Sequence, residues 1–299
     1  MKRNIGLSLA DIYPEYDFVI YGASYIGMPK NNTFMFVAKK VEHLIVNLVG
    51  HQECLIFVEQ GIEFPEDLKK DNAVIYTKSP QLEYAQFAER FLKEVYSEVE
   101  FIEQDGSYIS IDCKVGKNAH IGKGCIIGPE VTIGDNAEIL SGVVIKYAKI
   151  GNEFFCNEKA VIGCNSFTMA ESENGDLVRM PSMGAVEIGD HVEIGVQDVI
   201  ERGSCGTTRL DDYVKLDALV SVGHESQLNK NVRIASGANL GGFSQIGENT
   251  FIGLGAIIHN RLKIGKQAMI GMGAVVIKDV PEEMSVFGNP AKAMPVLKK

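Results

Sequence analysis

No stretch of this 299-residue chain approaches the roughly 20 consecutive apolar residues of a membrane-spanning helix. The start, Met1-Lys2-Arg3-Asn4, leads into mixed sequence without the apolar core of a signal peptide. There is no Lys/Arg-rich block, and the formal net charge is −10. Phosphate backbones need a cationic face, so nucleic-acid binding is not expected. Six cysteines in so long a chain do not make a disulfide framework. Cys113, Cys125 and Cys156 read instead as small buried hydrophobes in a reducing compartment. No two histidines stand three to five residues apart, so a metal site is not expected either. These absences predict a soluble, cytoplasmic protein with no tightly bound cofactor.

What the chain has is a rhythm. From Leu210 an aliphatic residue recurs every six positions: Leu216, Val222, Leu228, Ile234, Leu240, Ile246, Ile252, Ile258, Ile264, Ile270 and Val276. Six matches neither the 3.6 of a helix nor the 2 of an alternating strand; it is the period of a hexapeptide-repeat parallel β-helix. Small or β-branched residues, such as Val220, Ala238 and Ala256, precede these positions by two, and glycine often follows them, as at Gly247 and Gly253. The glycines suggest corners that need a permissive backbone. The same period runs from Ile109 to Ile145, slips by one at Ile150, and returns at Ile188, Ile194 and Ile200. At three hexapeptides per coil this predicts about eight coils, with strands ~4.8 Å apart and a prism roughly 40 Å long. Helices of this kind wind left-handed, an exception to the usual crossover rule.

The expected division is a small α/β domain over 1–105, a left-handed β-helix over 106–280 and a tail over 281–299. In the first domain Asp17 to Tyr21, Cys54 to Glu59 and Asn72 to Tyr76 read as strands. Ser79-Pro80 reads as a helix start, followed by an apolar stripe ending near Tyr96. Gly22 to Gly27 fits no nucleotide fingerprint and reads as a turn. Two breaks interrupt the prism: a loop over 163–187, and four extra residues between Ile200 and Leu210, within Arg202 to Thr207. Loops ejected from a rigid solenoid are places for binding groups.

A prism buries its inward aliphatic side chains, so chemistry belongs on its outside. Residues eighteen apart stack, which gives the column His224, Gly242, Asn260 and its neighbour Gly223, Gly241, His259. A histidine beside a glycine offers a proton acceptor and an exposed N–H, the two things acyl transfer needs. His43, His51, His120 and His191 have no such partner. Without metal-ligand spacing, a carbonic-anhydrase reading of the prism finds no support.

At these residues the chain resembles the UDP-3-O-acylglucosamine N-acyltransferases of lipid A synthesis. The similarity lies in Leu177 to about Ile270: Val178-Arg179-Met180-Pro181-Ser182-Met183-Gly184, Val186 to Gly195, Ile200-Glu201-Arg202-Gly203 and Lys215-Leu216-Asp217, with His224 seven residues on. Weaker similarity reaches Asn165, Phe167, Thr33-Phe34 and Tyr76 to Tyr84. The resemblance implies a homotrimer with its sites in clefts between prisms, His224 as general base, Asp217 supporting it and Gly242 as oxyanion donor. It implies an N-terminal domain that holds the nucleotide of a nucleotide-sugar acceptor, with Phe34, Lys39, Asn165, Phe167, Arg202 and His259 as acceptor-side residues.

Three departures stand against that pattern. The family's uracil-contacting run appears as Val37-Ala38-Lys39-Lys40, lacking its Asn and stacking aromatic. The helical extension used with acyl carrier protein is replaced by Lys278-Asp279-Val280-Pro281 and Phe287-Gly288-Asn289-Pro290-Ala291-Lys292. That ending is similar to the coenzyme A-dependent sugar acetyltransferases and implies a donor strip of Gly255, Gly273, Lys278, Asn289 and Lys292. Arg261 stands where the family often has a second histidine. The expected activity is acyl transfer from acyl carrier protein or acyl-CoA to the amine of a nucleotide-linked amino sugar. The alternatives are an acetyl-CoA-dependent N- or O-acetyltransferase and a non-enzymatic hexapeptide scaffold.

Overall fold

The computed structural model describes residues 6–95, 99–172, 174–290 and 292–294. Tyr96, Ala291 and 295–299 of the expected tail lie outside the described residues. The chain divides into two compact units. One joins Met1–Glu98 to Phe167–Met183; the other joins Val99–Ser166 to Gly184–Lys299. The first unit therefore ends before the expected 105, and most of the loop expected to belong to the prism groups with it.

The first unit is built on a parallel sheet of β1 (Gly22–Ala23), β2 (Thr33–Val37), β3 (Leu55–Glu59) and β4 (Ala73–Thr77), in sequence order. The sequence reading caught β3 and β4 but not β2, nor β1, which it placed in a turn. After Thr33 the β2 run Phe-Met-Phe-Val is continuously apolar because both faces of the strand are covered. One face meets α1 (Pro80–Val95): the Phe34 ring lies 4.9 Å from Tyr84 and 4.8 Å from Phe87. The other buries Met35, Val37, Ile56 and Val58 with Ile45 and Leu48. The ejected segment forms an antiparallel hairpin, Met169–Glu171 with Leu177–Arg179.

The second unit is the expected left-handed parallel β-helix. Among the described residues its three sheets contain ten, ten and eight strands. Aliphatic residues stack coil on coil, as in Leu216↔Ile234, Ile234↔Ile252 and Ile252↔Ile270. They are fully or nearly buried, each contributing roughly 1.5–3 kcal/mol of transfer free energy. The breaks fall where the rhythm breaks. The strand Ala148–Ile150 closes a coil one residue short, pairing Thr132 with Lys149. Ile188 pairs with Leu210 across the four-residue excess. The expected tail is not separate: Ser285–Phe287 continues one sheet beside Met269–Ile270, and Lys292–Met294 adds an antiparallel strand.

The glycines after the inward aliphatics have a different reason from the one expected. Gly163 (φ 83°) apart, they are not the left-handed residues; they make room for the next coil. A Cβ on Gly247 would stand 2.5 Å from Lys266 N, and one on Gly253 2.7 Å from Met272 N. The left-handed corner residues lie two further on, for example Asn249 (φ 60°) and Gly255 (φ 61°).

The three outer faces differ in chemistry. One presents Tyr108, Ile126, Val144, Val161, Val199, Ser221, Asn239, Ile257 and Val275, uncharged along its length apart from Glu103 opposite Tyr108 at one end and Glu201 at the His224 edge. The next along the chain is charged, with Lys149, Glu187, Arg209 and Lys263. The third is mixed, with Glu193, Lys215, Arg233 and Phe251. Two edges border the uncharged face. Asp217 lies on the one it shares with the mixed face, and His224 on the one it shares with the charged face.

Candidate active site

The His224 edge carries both irregular segments of the prism. The corner Gly223–Ser226 joins the strands Ser221–Val222 and Gln227–Leu228. One coil back, the enlarged corner Arg202–Gly206 passes close to Gly184, where a Cβ would stand 2.0 Å from Gly206 O and 2.6 Å from Gly203 O. Small residues are therefore required on both sides of that crossing. Coil-to-coil bonds fix the column above: Phe243 N–H donates to His224 O (2.8 Å) and Arg261 N–H to Gly242 O (2.9 Å).

The predicted stacking is realised at close range. A Cβ on Gly242 would lie 2.7 Å from His224 Nε2 and 2.9 Å from Cδ2, so the imidazole rests against a position only glycine can fill without displacing it. The Gly242 N–H has no acceptor within the chain among the described residues. The His224 side chain is 23% exposed.

The partner of the imidazole is Glu225, which the sequence reading missed. His224 Nδ1 makes a short hydrogen bond to the Glu225 carboxylate. The other carboxylate oxygen accepts from the N–H groups of Cys205 (3.0 Å) and Gly206 (2.9 Å), both in the enlarged corner. Glu225 is buried, has φ 54°, and donates its own N–H to Thr208 Oγ1 at 2.8 Å. Burial pushes its carboxyl up, but the hydrogen bonds from His224, Cys205, Gly206 and Ser204 outweigh this and hold it below its ordinary value. An ionised carboxylate only accepts, so Nδ1 carries the hydrogen, and in the neutral ring the lone pair is the one on Nε2, against Gly242. Ser204 Oγ lies 3.3 Å from Nδ1 and 3.1 Å from Ser166 Oγ, and Glu201 accepts the His224 N–H at 3.1 Å.

Asp217 does not support His224 within one chain. Seven residues earlier, it occupies the preceding corner, on the other side of the uncharged face. There the Ser236 hydroxyl and the Ala218 N–H (2.8 Å) bind its carboxylate and hold it below the ordinary value. Gly255 and Gly273 share that edge, both left-handed (φ 61° and 63°), and a Cβ on either would meet nothing within 4 Å.

The other expected residues separate in the same way. His259 stands on the His224 edge two coils up, exposed, its Nδ1 3.1 Å from Asn260 O. Lys278 is on the same edge near the end of the prism. Asn289 and Lys292 belong to the terminal hairpin on the mixed face, and Lys292 is exposed. Arg202 faces inward: it is 3% exposed, with its guanidinium 3.8 Å from the centre of the Tyr147 ring. A cation stacked and enclosed this way is a structural group and not the substrate contact expected. Asn165 is exposed at the start of the ejected segment, and Phe167, in the first unit, is 79% exposed. Phe34 is corrected outright: fully buried under α1, it has no surface to offer a ligand. Lys39 is exposed and paired with Glu42 (2.7 Å), beside a pocket of about 350 Å³ lined by Ile45, Gly61 and Glu63. No group of three or more His, Cys, Asp or Glu that could hold a metal occurs among the described residues.

Two family descriptions match the prism: bacterial transferase hexapeptide (six repeats) over 112–147, and hexapeptide repeat of succinyl-transferase over 245–278. A UDP-3-O-acylglucosamine N-acyltransferase of Coxiella burnetii is 30% identical over 149 residues, which is 44% of each protein. One from Janthinobacterium sp. (strain Marseille) is 36% identical over 120 residues, 40% of this chain and 31% of the relative. The matched region thus spans less than half the length of these curated relatives. Among solved structures, the UDP-N-acetylglucosamine O-acyltransferase of Moraxella catarrhalis superimposes with a TM-score of 0.60 at 26% identity, over 65% of this chain and 74% of that one. The UDP-N-acetylglucosamine acyltransferase of Francisella novicida gives 0.59 at 26% identity, over 64% and 69%. The coil geometry, the hexapeptide matches and these solved structures agree on one fold, the hexapeptide-repeat left-handed β-helix.

Proposed function

We propose that the protein transfers an acyl group from a thioester donor to the amine of a nucleotide-linked amino sugar. One observation carries the chemistry: a buried carboxylate fixes His224 Nδ1, while Nε2 faces a glycine whose N–H is unspent. The acceptor class follows the names of the relatives. The amine attacks the thioester carbonyl as Nε2 takes its proton. The tetrahedral oxyanion is met by the Gly242 N–H. Collapse breaks the C–S bond, forms the amide and releases a thiolate that recovers the proton from Nε2. Glu225 keeps the imidazole in the working tautomer and stabilises the imidazolium between the two transfers.

The same reading assigns a homotrimer. A largely uncharged face suits burial at a threefold axis, and it is flanked by the two edges that carry the site residues. In such an arrangement the Asp217 edge of one copy meets the His224 edge of the next. That gives Asp217, Gly255 and Gly273 a place in the site which a single chain denies them. A second reading, short-chain transfer from acetyl-CoA, draws on the terminal hairpin, which continues the prism where the lipid A enzymes are expected to add helices.

The experiment is mass spectrometry of products from UDP- and dTDP-amino sugars, with acetyl-CoA and acyl-carrier donors, for the wild type and His224→Ala. An N-acylated sugar nucleotide that disappears in the variant supports the reading, and the productive donor decides between the two forms of it. A product undiminished by His224→Ala refutes the mechanism. Absence of product with every pair leaves the scaffold alternative standing.

A further inference from the structure

We propose that Phe243 is a positioning residue for His224, and that Arg261 locks Phe243 in place. The inference rests on the assignment of His224 as the base, but its central test does not require turnover. Three consecutive coils contribute one ring or cation each at the same edge: His224, then Phe243, then Arg261. The Phe243 ring meets the imidazole edge-to-face, with centroids 5.3 Å apart and planes 81° to one another. The Arg261 guanidinium lies 4.4 Å from the Phe243 centroid. Both contacts are favoured arrangements for an aromatic quadrupole.

The geometry leaves the imidazole one orientation. Glu225 holds Nδ1, Gly242 closes against Nε2 and Cδ2, and Phe243 stands across the ring plane. Glu225 restrains only the Nδ1 corner, and a ring hinged at one atom can still rock about that bond. Phe243 is the group that opposes rocking, because its coil is the next one and its ring is perpendicular. Phe243 itself sits at a left-handed corner (φ 61°). A bulky residue there is costly in the backbone, which speaks for a side chain retained for its contact. Arg261, also left-handed at φ 64°, covers Phe243 from the coil above, where the related enzymes are expected to have a histidine. The chain thus carries a cation–aromatic clamp on its base in place of a second titratable ring.

The test uses the intact chain labelled with ¹⁵N at histidine, with the His224 ring signals assigned by His224→Gln. In the wild type His224 should show one Nδ1/Nε2 pair of narrow lines. Phe243→Ala should broaden or split them, and Phe243→Tyr should restore them. Arg261→Ala should give an intermediate effect, and Arg261→Lys should be close to wild type. In a thiol-release assay with the productive donor, Phe243→Ala should lower kcat about tenfold, with the KM for the acceptor within twofold, and Phe243→Tyr should recover most of the loss. Circular dichroism and thermal melting establish that each variant is folded. His224 signals unchanged in folded Phe243→Ala would overturn the positioning role, as would a rise in KM at constant kcat. Broadened signals in a protein that transfers no acyl group would uphold the clamp and refute the proposed function, so the two failures are distinguishable.

Discussion

Replacing Gly242 by alanine adds one methyl group at the closest approach in the site. The added Cβ would fall 2.7 Å from His224 Nε2, 2.9 Å from Cδ2 and 3.0 Å from Cε1. Ordinary van der Waals contact begins near 3.4 Å, so the ring must withdraw by roughly 0.7 Å or tilt away. Tilting is opposed by Glu225 on Nδ1 and by the perpendicular Phe243 ring. Gly242 has no left-handed φ, so alanine costs the backbone nothing, and its N–H remains in place for the oxyanion. The variant therefore separates the position of the base from the fold and from the oxyanion donor. A displacement approaching 1 Å in a catalytic group costs on the order of 10²-fold in rate, equivalent to about 2.7 kcal/mol in activation free energy. The assay is release of free thiol from the acyl donor under single-turnover conditions, beside thermal melting of the same preparation. The expected outcome is a loss of about 10²-fold with a melting temperature within a few degrees of wild type. Activity within twofold of wild type in the folded variant would refute the claim that Nε2 against Gly242 is the reacting nitrogen.

Glu225→Gln should be as damaging for a different reason. The amide oxygen can still accept from Cys205 and Gly206, but its NH₂ then faces Nδ1 and forces the hydrogen onto Nε2; kcat should fall roughly 10²–10⁴-fold, and a normal rate would show that the carboxylate is merely structural. Asp198, buried at the corner before Val199 and bonded by the N–H groups of Gly195 (2.7 Å) and Val220 (2.8 Å), has its carboxyl pushed by burial from the ordinary 3.8 to about 6. The folded state then binds the proton more tightly than the unfolded chain, so stability rises as pH falls from 7 towards 4.5. The gain should be about 1–3 kcal/mol relative to Asp198→Asn, and parallel pH profiles in denaturant titrations would exclude it. Phe34→Ala should cost the first unit about 3–5 kcal/mol, read by denaturant unfolding of the intact chain; unchanged stability with a weakened acceptor would restore Phe34 as a ligand contact.

The fold was legible because the hexapeptide period is written in side chains that have no alternative environment. A strand only two residues long, such as Lys215–Leu216, can be recognised because Ile234, Ile252 and Ile270 must stack above its inward residue. The same period contained information about the site that a motif comparison overrode. Asp217 and His224 are seven apart, which places them in successive hexapeptides and hence on different edges; no packing within one chain can join them. Glu225, one residue from His224, shares its corner, and an acid adjacent to the histidine in sequence was the available signal. What the period could not carry was the enlarged corner. The residues Ser204, Cys205 and Gly206 break the rhythm, so their backbone N–H groups, which satisfy Glu225, follow no spacing rule. Arg202 misled for a related reason: beside an insertion a cation reads as a surface group, yet the close passage of Gly203 and Gly206 by Gly184 turns that corner inward and encloses it. In a solenoid the repeats report the scaffold and its edges. The chemistry gathers where one corner departs from the repeat and the next coil, through Gly242, leaves room for it.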